Sequence, residues 1–287
     1  MMKTTKAVVA ILALLTFLMP MIASAGIMEK ISSEKVLRVG VAPWKNFIQK
    51  NPKSGEYEGI IADDLKNFEK ETGIKVEISE TNWGGMIAGL QTGKWDAIMN
   101  GLGATVQRSV AVAFTEPYGY YAEASLVRSN ETVKSFADLD QKGNIIAVMA
   151  GTSAHTLWKD KFKNAEIQTF TDSTTAILEV IQGRAKAFMS DSLVNAFRAQ
   201  ERPELSLFIP ENTVWFYQAH AVRYEDPDLK TFLDTYVRNM KVRGWYKELG
   251  EKWGMPATSC TAEQCNCGAS ANPTSAFIRV SHPACCT

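Results

Sequence analysis

The chain has 287 residues, 46% hydrophobic and 22% charged, and its 31 basic and 31 acidic side chains give a formal net charge of zero. That is the composition of a globular protein with ample material for a core. No basic patch on the scale of phosphate recognition stands out and no run of like charge reads as a membrane-binding tail, so nucleic acid is not an expected partner.

Residues 1–25 read as a secretory signal peptide, with Lys3 and Lys6 as the basic start, an apolar run from Ala7 to Ile22, and Ala23-Ser24-Ala25 as a small-residue cleavage site. The apolar run contains Pro20 and falls short of the ~20 residues a spanning helix needs. A soluble periplasmic protein beginning at Gly26 is expected, with no lipid anchor, because no cysteine lies beside the cleavage point.

Val36 to Val41 reads as a strand. Ile61, Leu65 and Phe68 mark one face of a helix stopped at Gly73, and Ile74, Val76 and Ile78 then alternate as a second strand. Such alternation argues for an α/β fold with mostly parallel strands. Trp44 and Trp83 are aromatic faces suited to flat, apolar or cationic groups, and Trp83 lies in a polar, flexible setting of Asn82, Gly84 and Gly85.

The stretch from Gly93 to Arg108 carries the most specific chemistry. Asp96 to Met99 reads as a short strand leading through Asn100 to Gly101 and Gly103, where backbone can approach a ligand closely. Arg108 follows with a planar fork that stays charged and suits a carboxylate, and Thr105 supports the arginine or meets the carboxylate itself. Tyr118, Tyr120 and Tyr121 read as hinge and wall.

Further on, Gly151-Thr152-Ser153 lies between the strand Ile145 to Met149 and a helix beginning near Ser153, whose free N–H groups favour an anion; Ser153 is both candidate N-cap and candidate donor. Met86 to Asn100 is echoed by Ile177 to Ser190, each a helix, Gly-Lys or Gly-Arg, and an apolar strand. The echo implies two lobes with a cleft at the carboxyl ends of their strands. Asp191, just past the second copy, either meets a ligand ammonium, which needs an opposite charge when buried, or caps the next helix. Pro227 opens a helix, which returns with the aromatic helix of Trp245, Tyr246, Leu249 and Trp253 to the first lobe. All five cysteines, Cys260, Cys265, Cys267, Cys285 and Cys286, fall in the tail 257–287, whose expected state is disordered and whose spacing is not that of a zinc site. No metal or cofactor is expected.

Taken together, Leu37-Arg38-Val39-Gly40-Val41, the Gly55 to Gly59 turn, the Gly93 to Arg108 stretch, Phe114-Thr115-Glu116-Pro117-Tyr118, Gly151-Thr152-Ser153, Gly183-Arg184 and Asp191 resemble the solute-binding proteins that deliver amino acids to ABC importers. The resemblance runs from Val36 to about Pro256. It implies the two-lobed periplasmic-binding-protein fold, with lobe 1 formed by 34–121 and 222–256 and lobe 2 by 122–221. A two-strand hinge would cross near Glu123 to Val127 and Phe216 to Val222. It further implies a monomer that binds an amino acid or related amino-carboxylate, presents it to a membrane permease and performs no catalysis. Arg108 would clamp the carboxylate, Thr152 and Ser153 would hold it from the second lobe, Asp191 would take the ammonium, and Trp44 and Trp83 would flank the ligand side chain on either side. Asn100, Gly101, Gly103, Thr105 and Tyr118 would complete the site.

There are departures. Gly103 stands where relatives usually carry Thr or Ser, and Ala42 replaces a carboxylate found in some binders of basic amino acids. The same fold includes periplasmic cyclohexadienyl dehydratases, which need a desolvated general acid. Asp191 is the candidate for that role, and no further Glu or His is expected on the matched cleft loops.

Overall fold

The computed structural model describes residues 26–210 and 213–255, so the signal-peptide and cysteine-tail expectations lie outside the described residues. In chain order the strands are β1 (Val36–Val41), the short pair β2 (Gln49–Lys50) and β3 (Tyr57–Glu58), β4 (Lys75–Glu80), β5 (Ala97–Gly103), β6 (Ala113–Phe114), β7 (Gly119–Arg128), β8 (Ile145–Met149), β9 (Glu166–Phe170), β10 (Ala187–Asp191), β11 (Leu205–Phe208) and β12 (Trp215–Val222). The helices are α1 (Ile27–Glu34), α2 (Ile60–Thr72), α3 (Met86–Gln91), α4 (Val106–Ser109), α5 (Phe136–Leu139), α6 (Ser153–Lys161), α7 (Ser173–Ile181), α8 (Ser192–Glu201), α9 (Pro227–Val242) and α10 (Trp245–Lys252).

Two parallel sets stand at the ends of one strand path, β4-β1-β5-β12-β7-β10-β8-β9. β1 runs parallel to β4 and β5, and β8 runs parallel to β9 and β10, as βαβ connections require. The long antiparallel strands β7 and β12 join the sets. Gly119–Ala122 pairs with Trp215–Gln218, after which β7 pairs with β10 from Glu123 and β12 pairs with β5 from Gln218. β12 thus begins pairing with the first sheet at Gln218, as one unbroken strand serves both pairings.

Local sequence explains the main elements. α2 ends at Gly73, whose φ of 66° is left-handed and whose N–H reaches back to the Glu69 carbonyl. β5 runs on to Gly103 instead of stopping near Met99, because β12 pairs with Leu102 and Gly103 beyond an irregularity in the ladder where Gly101 takes a left-handed φ of 66°. The first core joins Leu37, Val39, Leu65 and Phe68 to Leu229, Leu233, Val237 and Leu249, so α9 and α10 pack back on the first sheet. Each such side chain, fully buried, contributes about 1.5–3 kcal/mol. Buried Asp64 ties them down by accepting from the Tyr236 hydroxyl and from Trp245 Nε1, each at 2.8 Å. A second core gathers Val127, Ile146, Val148, Trp158 and Met189 under α6. Among the described residues no helix is long and apolar enough to cross a membrane.

Candidate functional site

Arg108 sits on the single turn of α4, which Thr105 caps by accepting the Arg108 N–H at 3.2 Å. Its Nη1 donates to the Gly103 carbonyl and its Nη2 to the Gly151 carbonyl, each at 3.0 Å. Gly103 ends β5 and Gly151 follows β8, so the guanidinium spans the two halves of the molecule. Burial lowers its pKa, an effect opposed by Tyr121 and Glu123, and a guanidinium remains charged regardless. Two of its five N–H donors are engaged in these contacts, and the rest can serve a carboxylate.

Around Arg108 opens a cleft of about 600 Å³, its mouth included. Arg108 and Asp191 are the charged side chains among its described lining residues. Asp191 ends β10 and caps α8, one oxygen accepting the Val194 N–H at 2.8 Å and the other facing the Ser190 hydroxyl at 3.3 Å. Desolvation pushes its pKa up to about 6 against those hydrogen bonds. The N-terminus of α6 enters the cleft through Thr152 and Ser153. Thr152, not Ser153, is the N-cap: its hydroxyl accepts from His155 N–H at 3.3 Å and donates to the Met149 carbonyl at 2.8 Å. Ser153 is therefore left to bond outside the helix.

Ser153 bonds to two partners that the sequence reading left out of the binding set. Its Oγ lies 2.8 Å from the Tyr121 hydroxyl and donates to Glu123 Oε1 at 2.9 Å, while Trp158 Nε1 donates to Glu123 Oε2 at 3.3 Å. Glu123 is fully buried, and desolvation pushes its pKa up to about 7 despite the Ser153 bond. The Tyr121 hydroxyl occupies the space a side chain at position 103 would need: a Cβ on Gly103 would lie 2.1 Å from it. The departure at Gly103 is thus filled from the crossing strand. One sequence signal was available for Glu123, a lone carboxylate two residues from Tyr121 in an otherwise uncharged run.

The cleft brings together Trp44, Trp83, Gly101, Gly103, Arg108, Thr152, Ser153 and Asp191. Other predicted residues lie elsewhere. Asn100 shares the strand face of Ile98 and Leu102, is fully buried, and donates to the Ala42 carbonyl, because side chains alternate along β5. Thr105 serves as a cap. Tyr118 stacks on Tyr246 and lines an apolar hollow on the other side of Gly101. The two tryptophans do not face each other across the ligand space: Trp44 stacks on Phe47 at 3.8 Å and meets Trp83 edge-on at 5.5 Å, so the pair forms one corner. The expectation of no further Glu or His concerned the cleft loops; Glu123 approaches instead from strand β7, behind the cleft wall. Among the described residues no group of three or more His, Cys, Asp or Glu side chains is placed to hold a metal ion.

A family model for bacterial extracellular solute-binding proteins, family 3, matches residues 37–256. A probable histidine-binding protein of Campylobacter jejuni is 32% identical over 222 residues, covering 76% of this chain and 84% of that one. A cyclohexadienyl dehydratase of Pseudomonas aeruginosa is 22% identical over 229 residues, covering 79% and 85%. The crystal structure of an ancestral amino acid-binding protein, a precursor of cyclohexadienyl dehydratase, superposes with a TM-score of 0.73 at 34% identity, covering 80% of this chain and 99% of that one.

Proposed function

The chain belongs to the bacterial extracellular solute-binding proteins, family 3, and on that footing we propose that it is a periplasmic receptor whose two lobes close on an amino acid and present it to an ABC permease. The observation that carries the reading is Arg108, anchored on Gly103 and reaching Gly151 across a cleft whose other charged lining residue is Asp191. A zwitterion satisfies both: its carboxylate takes the remaining guanidinium donors and the α6 N-terminus, and its ammonium takes Asp191. The ligand side chain lies against the corner of Trp44 and Trp83. Closure follows from differential contact, because ligand bridging Arg108 to Ser153 and Asp191 exists only when the lobes meet. The lobes exchange at the paired segments of β7 and β12, and the protein acts as a monomer after removal of its signal peptide.

A lyase reading has one observation in its favour, the pair of carboxyls with raised pKa at Asp191 and Glu123 in a relative of a dehydratase. Binding is the stronger reading because both Glu123 oxygens are taken by Ser153 and Trp158, behind the cleft wall.

A thermal-shift screen against the amino acids, small carboxylates and prephenate tests the proposal. A ligand at a hundred times its Kd stabilises by about 2.7 kcal/mol. Stabilisation by an amino acid, lost in Arg108→Ala, is expected; turnover of prephenate, or no amino acid bound at all, would overturn it.

A further inference from the structure

Ser153 has one proton to give, and in this structure it is given away from the cleft. Its hydroxyl donates to Glu123 Oε1 at 2.9 Å while standing 2.8 Å from the Tyr121 hydroxyl. An ionised carboxylate only accepts, so as long as Glu123 is charged the Ser153 proton stays on it. Ser153 then turns a lone pair toward the cleft, where an incoming carboxylate needs a donor. A neutral Glu123 reverses the bond. Its own O–H donates to Ser153 Oγ, and the Ser153 proton is freed for the ligand.

The fold also sets Glu123 beside a second carboxylate. Glu123 and Asp191 are direct partners in the antiparallel ladder of β7 and β10, which places both side chains on one face. The groups around Glu123 are Tyr121 on its own strand, Asp191 on β10, Arg108 on α4, and Ser153 and Trp158 on α6. Val214 and Thr213, which bond its backbone, bring no charge. Arg108 is thus the one cation among these neighbours, set against two carboxylates, and a ligand carboxylate claims it.

We propose that Glu123 is a positioning residue that must be neutral for Ser153 to donate to a bound carboxylate, so that ligand capture takes up one proton from solvent. The proposal rests on the carboxylate-binding reading above. The raised pKa of Glu123, about 7 before ligand arrives, puts the coupling within the neutral range.

The test uses the protein from Gly26 onward and an equimolar mixture of the standard amino acids without histidine and cysteine, whose side chains titrate in the same window. Calorimetry in buffers of differing ionisation enthalpy counts protons taken up on binding. For wild type the apparent Kd is expected to rise about tenfold per pH unit above the Glu123 pKa, with uptake approaching one proton. Glu123→Gln copies the neutral acid, its amide donating to Ser153 and its carbonyl accepting from Trp158, and is expected to bind with a flat pH profile and no uptake. Ser153→Ala, which keeps Glu123 but removes the hydroxyl it controls, is expected to lose the pH dependence as well. A flat wild-type profile, or proton uptake that survives Glu123→Gln, overturns the proposal.

Failure of the mixture, and of histidine and cysteine each added separately, to bind any of these proteins at any pH would sink the amino-acid reading instead. The ligand-free infrared spectrum then decides. A protonated-carboxyl band that titrates between about pH 5.5 and about pH 8.5 and is absent from Glu123→Gln supports a neutral Glu123, and no such band overturns it.

Discussion

Backbone meets backbone across this cleft at one point, and Gly151→Ala probes it. A Cβ on Gly151 would lie 2.5 Å from the Gly84 nitrogen and 2.6 Å from its Cα, and backbone atoms cannot step aside as a flexible side chain can. Ordinary contact begins at 3.4 Å, so the turns must part by about 0.9 Å. The Arg108 Nη2 contact to the Gly151 carbonyl, now 3.0 Å, would open to about 3.9 Å and cease to be a hydrogen bond. A bond to a charged group is worth about 1.5–3 kcal/mol, which corresponds to a loss in affinity of about tenfold to a hundredfold when only the closed form makes it. Gly151 also has φ +79°, where an L residue costs about 1–2 kcal/mol in either state. Gly143→Ala separates the two effects, having φ +91° but open space around it. Calorimetry and small-angle scattering with the ligand from the thermal screen provide the assay. Gly151→Ala is expected to bind weakly and stay extended, Gly143→Ala only to melt earlier; wild-type affinity and wild-type compaction in Gly151→Ala would refute the reasoning.

Gly103→Ser drives a Cβ to 2.1 Å from the Tyr121 hydroxyl and should displace it from Ser153; a double-mutant cycle with Tyr121→Phe is expected to show a coupling of about 0.5–3 kcal/mol in ligand affinity, and additivity would refute the contact. Asp64→Ala strands the Trp245 donor and leaves the Tyr236 hydroxyl only the backbone carbonyl of residue 64 at 3.2 Å, and should cost about 1–3 kcal/mol in urea unfolding, with Asp64→Asn milder. Ligand-free stability should fall as pH rises from about 5 to about 8: Asp64 and Asp191, raised to about 6, and Glu123, raised to about 7, hold protons that the unfolded chain has already released. Buried His220, pushed down to about 3, acts in the opposite direction but is one group against three, so chemical denaturation showing greater stability at the alkaline end would contradict these shifts.

What could be read in the sequence was whatever a local pattern encodes. The period of Ile61, Leu65 and Phe68, the stop at Gly73 and the opening at Pro227 each depend on a few neighbouring residues, and each element formed where they indicate. Arg108 and Asp191 were legible for a similar reason, as charged residues just past apolar strands that end at a shared cleft. Residues whose roles depend on the strand ladder were not. Asn100 looks like part of a glycine-rich ligand loop until the pairing of β5 with β12 carries the strand through it and turns its amide toward Ala42. Tyr118 and Tyr121 are three residues apart in one aromatic run, yet the first stacks in the hollow behind Gly101 and the second lines the cleft. Glu123 is the sharpest case: nothing near it in sequence neutralises it, and its partners come from β10, α4 and α6. The vacancy at Gly103 and the hydroxyl of Tyr121 explain each other only in three dimensions, because a bulkier residue at one excludes the other. Where position 103 brings no side chain, the crossing strand supplies the Tyr121 hydroxyl, and with it Glu123, bonded through Ser153.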